Sequence, residues 1–157
     1  MNSTVFVLLA CLEVKYIDSK RIINWAQEIL ESCPAPEQVF FDLINCTNAT
    51  DMELVLVGWL RSNGDVFNED YVQLLLGFAY MSYLDKKMTL NEFLEKILDL
   101  LDAYELIDTD VATIGLELQN KVLLKNMAPY YHPLINQYMI HAKVELLAIS
   151  DRWKITL

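Results

Sequence analysis

The chain has 157 residues, and 12 Lys+Arg against 22 Asp+Glu give a formal net charge of −10 at pH 7 with both histidines neutral. That excess argues against nucleic acid and anionic membrane as main partners, because phosphate recognition needs a basic face. A composition of 54% hydrophobic and 11% aromatic residues excludes disorder, and a chain this long buries roughly 70% of its unfolded surface, enough for one domain over residues 1–157 without disulfide or metal staples.

Helical periodicity dominates, and 4 Gly and 4 Pro are too few for a sandwich or barrel. A first helix is expected over about Thr4–Tyr16 and a second over about Ser19–Cys33, with Asp18 as N-cap. Pro34-Ala35-Pro36 stops it, since proline lacks the N–H and disfavours helix in the residue before it. A short helix follows over about Glu37–Asn45. Thr50-Asp51-Met52-Glu53 and Thr89-Leu90-Asn91-Glu92 both match the capping box, in which Thr and Glu satisfy each other's orphan N–H groups. The first opens a helix to about Arg61 that ends at Ser62-Asn63-Gly64-Asp65, and the second opens one over about Leu90–Tyr104. Between them lies Glu69–Leu84. A seventh helix is expected from Asp108 or Thr109 to Asn126, and an eighth from Pro133, at its first turn, to Ile149.

The fourth and fifth helices are apolar nearly all round (Leu54-Val55-Leu56-Val57 and Leu74-Leu75-Leu76), which predicts a centre made of these two with amphipathic helices wrapped outside. Gly58 and Gly77 inside them predict close helix–helix approach. The expected fold is an all-α bundle of about eight helices, with no convincing repeat.

Little in the sequence suggests chemistry. Cys11, Cys33 and Cys46 form no C-x-x-C pair and sit among apolar residues, as buried reduced thiols of a cytoplasmic protein would. The run Val5 to Cys11 has the look of a short secretory core, but no Lys or Arg precedes it. Tyr71–Leu84, the longest apolar stretch, is too short to span a bilayer. His132 and His141 are off metal-ligand spacing. Asn63-Gly64-Asp65 resembles half an EF-hand loop, yet Trp59 and Arg61 would stand where calcium needs oxygen ligands. Glu117 and Glu145, inside apolar helices, are the best candidates for a catalytic carboxylate pair, although flank residues are the commoner role. No nucleophile or phosphate-loop motif is present. The expectation is a non-enzyme without metal or cofactor.

The sixth helix is more informative. Leu90, Phe93, Leu94, Ile97, Leu98, Leu101 and Tyr104 fall on one face, and Glu92, Glu95, Asp99 and Asp102 repeat on the other at three- and four-residue spacing, where like charges repel. Only Lys96 relieves the stripe from within. Asp99, Asp102 and Glu105 lie toward the C-terminal end, where the macrodipole disfavours anions. A helix shaped only by stability would not place acids so. Glu92, Glu95, Asp99, Asp102 and Glu105 are therefore the predicted contact with a basic protein partner. A mean hydropathy of +0.24 adds surplus apolar surface, for which homodimerisation is the alternative use.

The segment Tyr16-Ile17-Asp18, Ile23-Asn24-Trp25-Ala26-Gln27-Glu28-Ile29, Pro34-Ala35-Pro36 and Asp42-Leu43 resembles the opening of small helical bacterial proteins encoded beside secreted toxins. The resemblance covers about the first quarter of the chain. It implies a cytoplasmic immunity protein that neutralises a toxin, in many such systems a basic nuclease, by stoichiometric binding, and it carries over no binding residue.

Overall fold

The computed structural model describes residues 2–64, 69–93, 95, 96, 99 and 124–153. Among them seven helices can be followed and no strand, which makes the fold all-α with one helix fewer than expected. They are α1 (Asn2–Glu13), α2 (Ser19–Ser32), α3 (Gln38–Ile44), α4 (Ala49–Ser62), α5 (Glu69–Leu84), α6 (helical at residues 90–93, 95, 96 and 99) and α7 (Leu124–Trp153). Most of the expected seventh helix lies outside the described residues. Its last three join α7, which begins nine residues before Pro133 and runs through both Pro129 and Pro133. Proline removes one N–H from the ladder and clashes locally, but the penalty ends within a turn; α7 is held along α5 beyond it.

Local signals set several boundaries. Asp18 caps α2 by accepting from Arg21 N at 2.9 Å. Glu92 Oε2 accepts from Thr89 N and Thr89 Oγ1, both at 2.8 Å, and Thr89 Oγ1 accepts from Glu92 N at 3.2 Å, closing the capping box that starts α6. The expected box at Thr50 is not formed. Asn48 is the N-cap of α4 instead, accepting from Asp51 N at 2.9 Å, while Asp51 Oδ2 accepts from Thr47 Oγ1 at 2.6 Å and Asn48 Nδ2 at 2.9 Å. Asparagine two residues earlier is the stronger cap, and Asp51 serves the reciprocal role assigned to Glu53.

The centre is α1 and α5, not α4 and α5. Val7, Leu8, Leu9, Ala10 and Cys11 are all buried, as is most of α5 from Tyr71 to Met81. α4 buries only Met52, Leu56 and Leu60, one stripe, and leaves Leu54 68% exposed. An all-apolar run marks what a helix could bury, whereas how closely its neighbours pack on it decides what it does bury. α1 touches α4, α5 and α7.

The two interior glycines separate in the same way. A Cβ at Gly77 would overlap the carbonyl oxygen of Tyr138 and lie 2.8 Å from the Cβ of Ala142, so α5 and α7 meet backbone to backbone there. Among the described residues nothing lies within 4 Å of such a Cβ at Gly58, and the expected close contact is not made by them.

A repeat that the side chains conceal is present in the backbone. After α1, Lys15 N donates to Leu12 O, Tyr16 N and Ile17 N donate to Cys11 O, and Ile22 N donates to Asp18 O. After α5, Lys86 N donates to Tyr83 O, Lys87 N and Met88 N to Ser82 O, and Phe93 N to Thr89 O. Each pair is offset by 71 residues (86 − 15), and both lysines are left-handed, with φ of 56° at Lys15 and 60° at Lys86. Such a conformation costs an L-residue about 1–2 kcal/mol, least for Asn. α1 packs on α4, α5 packs on α7, and α1 and α5 pack on each other.

Gly77→Ala is expected to destabilise the protein by about 2 kcal/mol or more, because backbone on α7 cannot move aside cheaply. Gly58→Ala should stabilise it by about 0.5–1 kcal/mol through helix propensity alone. Urea midpoints of the two variants against the parent check both signs.

Candidate functional site

The described part of the acidic stripe lies on the outside of α6. Phe93 is buried against Tyr80 and Tyr83, with ring centroids 6.0 and 5.6 Å away. That anchoring turns Glu92, Glu95 and Asp99 outward, and all three are exposed. Asp102 and Glu105 lie outside the described residues. Leu90, expected on the buried face, is 47% exposed, because it occupies the first turn, ahead of the contact made by Phe93.

The members of the stripe are not equivalent. Glu92 has its carboxylate engaged by the backbone N–H and hydroxyl of Thr89, which hold it below the usual carboxylate range, with Lys15 helping in the same direction. Glu92 therefore serves the start of α6 as well as the field outside it. Among the described residues, no ion pair reaches Glu95 or Asp99.

Lys96 does not relieve the stripe. Its Nζ pairs with Glu13 Oε2 of α1 at 3.3 Å, and the other carboxylate oxygen, Oε1, accepts from the Tyr71 hydroxyl of α5 at 2.8 Å. Three helices are thus tied through one carboxylate. Glu53 of α4 stands within range of this clasp: burial pushes its carboxyl up, the Glu13 charge adds to that, and Lys96 opposes it. Sequence periodicity placed Lys96 correctly on α6 but could not show that it turns inward, because Glu13 and Tyr71 are distant in sequence.

The remaining candidates do not assemble into a chemical site. Glu145 is half-buried on α7, while Glu117 lies outside the described residues, so no carboxylate pair is formed among them. His141 is half-buried; the side chain of His132 is outside the described set. Among the described residues no group of three His, Cys, Asp or Glu could hold a metal ion. All three cysteines are free, but only Cys11 is buried, where burial raises its thiol well above the ordinary value; Cys33 and Cys46 are half-buried, contrary to expectation, because each lies at or beyond a helix end. Trp59 and Tyr83 are only half-exposed, and Tyr83 is stacked on Phe93. No helix among the described residues is long and apolar enough to cross a membrane.

Comparison with protein-family models, with curated proteins and with solved structures finds no match to this chain.

Glu53 gives a pH test of the clasp. Its raised value means that the charged form is penalised in the folded state; that penalty is present above the folded value and is lost as pH falls through it toward the ordinary 4.5. Glu53→Gln should therefore raise stability at pH 7 by about half a kcal/mol, a small figure because solvent screens the partly exposed group. The gain should vanish in acid, as urea titrations on both sides of the window would show.

Proposed function

We propose that the chain is a non-enzymatic protein-binding module that neutralises a basic partner by stoichiometric binding, as the toxin-immunity proteins resembled by its first quarter do. The observation that carries this reading is the direction of Lys96. The one cation within the described part of α6 is spent on Glu13, so Glu95 and Asp99 present an exposed acidic face with no ion pair of their own among the described residues. Asp102 and Glu105 continue that charge in the sequence. Such a face accelerates encounter with a cationic protein and loses that advantage as salt rises. A basic nuclease fits the chemistry, since its substrate groove is itself built to attract anions. A cytoplasmic location in a bacterium belongs to the same reading.

A self-associating structural or regulatory protein is the second reading. Ile140, Val144 and Leu147 are 58%, 55% and 62% exposed, and their spacing puts them on one face of α7.

Stopped-flow association with a cationic ribonuclease as probe, over a range of salt, tests the first reading. Glu95→Lys with Asp99→Lys should slow association by about tenfold at low salt and flatten its salt dependence. Unchanged kinetics would reject the face. Glu92 is left intact in this test because it also caps α6.

A further inference from the structure

The 71-residue repeat brings two turns together at one end of the molecule. Lys87 Nζ donates to the carbonyl oxygen of Tyr16 at 2.8 Å and stands 4.6 Å from the centre of its ring, which ties the turn after α5 to the turn after α1. Lys15, Lys20, Arg21, Lys86 and Lys87 are all exposed on these turns and the helix start beside them. Five of the chain's 12 cations are therefore gathered at one pole of a protein whose net charge is −10. Asp18 and Glu92 nearby are held against backbone N–H groups, Asp18 receiving Arg21 N and Glu92 receiving Thr89 N, and Glu13 is engaged by Lys96 and Tyr71. Asp85 adds an exposed carboxylate.

Both turn lysines follow a helix C-terminus, where a cation interacts favourably with the dipole. Positions 15 and 86 both have positive φ, where glycine or asparagine fits with less strain, and both carry lysine. The pole is also continuous with the acidic face. α6 starts from the second turn, and Lys15 lies close enough to Glu92 to favour its charge. Patches of opposite sign side by side on one chain are self-complementary about a two-fold axis: the pole of each copy meets the acidic face of the other, so that one geometry makes two attractive contacts. Leu84 and Leu90, 50% and 47% exposed on either side of the second turn, supply apolar area between the patches.

We propose that the pole formed by Lys15, Lys20, Arg21, Lys86 and Lys87 docks on the acidic face at Glu95 and Asp99 of a second copy of this chain, in a symmetric pair. The inference rests on the reading of that face as a docking site for a cation-rich protein, and it supplies the occupant in the absence of any other partner. A basic partner then has to displace the second copy, so binding the partner and dissociating the pair are one competition.

Sedimentation velocity of the full chain over a range of concentration tests this, at about 0.15 M and about 0.5 M salt. A dimer is expected at the lower salt and dissociation at the higher. Lys15→Asn with Lys86→Asn, which relieves backbone strain and so does not threaten folding, should weaken the dimer by about tenfold or more. Lys15→Glu with Lys86→Glu in one chain and Glu95→Lys with Asp99→Lys in another should each be monomeric alone and should pair when mixed. A monomer at every concentration overturns the proposal. So does a dimer that ignores salt and the pole variants but is lost on Val144→Asp, which would belong to the apolar face of α7. Loss of the pair with ribonuclease binding intact refutes only the second copy as occupant; loss of ribonuclease binding in Glu95→Lys, Asp99→Lys with the wild-type chain monomeric supports the acidic face and overturns the pairing.

Discussion

α7 passes so close to Gly77 that no side chain fits between it and α5, and much of the remaining architecture follows from that approach. Backbone contact of this kind is possible only where Cβ is missing, and opposite Gly77 stands Ala142, the smallest side chain that keeps a helix favourable. α5 is thereby covered on one side by α7 and on another by α1. A helix enclosed in this way can be apolar around most of its circumference, as the buried run from Tyr71 to Met81 is. α1 gains its burial from the same arrangement, since it touches α4, α5 and α7.

The paired turns after α1 and α5 show how backbone geometry can repeat while side chains diverge. Hydrogen bonds recur at a constant offset, left-handed lysines occupy equivalent sites, and Ile22 and Phe93 are buried at equivalent positions in the helices that follow. The caps differ, a carboxylate at Asp18 and a hydroxyl–carboxylate pair at Thr89 and Glu92, because either chemistry satisfies the free N–H groups of a helix start. Residue identity does not carry the repeat: between residues 11–22 and 82–93 the one identical pair is Lys15 and Lys86. The burial pattern and the bonded turns do.

Charge is distributed by the same framework. Glu13 collects a hydroxyl from α5 and an ammonium from α6, which fixes α6 against the central pair and takes Lys96 out of the solvent-facing stripe. The clasp therefore links stability to surface electrostatics: each cation drawn inward leaves the outside more negative. Glu53 beside it carries a cost for its charge, chiefly from burial and then from the Glu13 carboxylate.

Helix type, the limits of α2, α3 and α5, and the start of α6 were all legible in the amino-acid order, because capping and proline chemistry act within four residues. The outward position of Glu92, Glu95 and Asp99 was legible too, from periodicity and the buried Phe93. Which helices form the centre was not: Leu54 and Leu9 are equally apolar, and only the packing around each leaves one exposed and buries the other. Nor could order alone distinguish Gly58 from Gly77, show Lys96 turning to Glu13, or bring Lys15 and Lys86 to one pole. Those outcomes depend on contacts between residues tens of positions apart, and such contacts exist only once the chain has closed its loops.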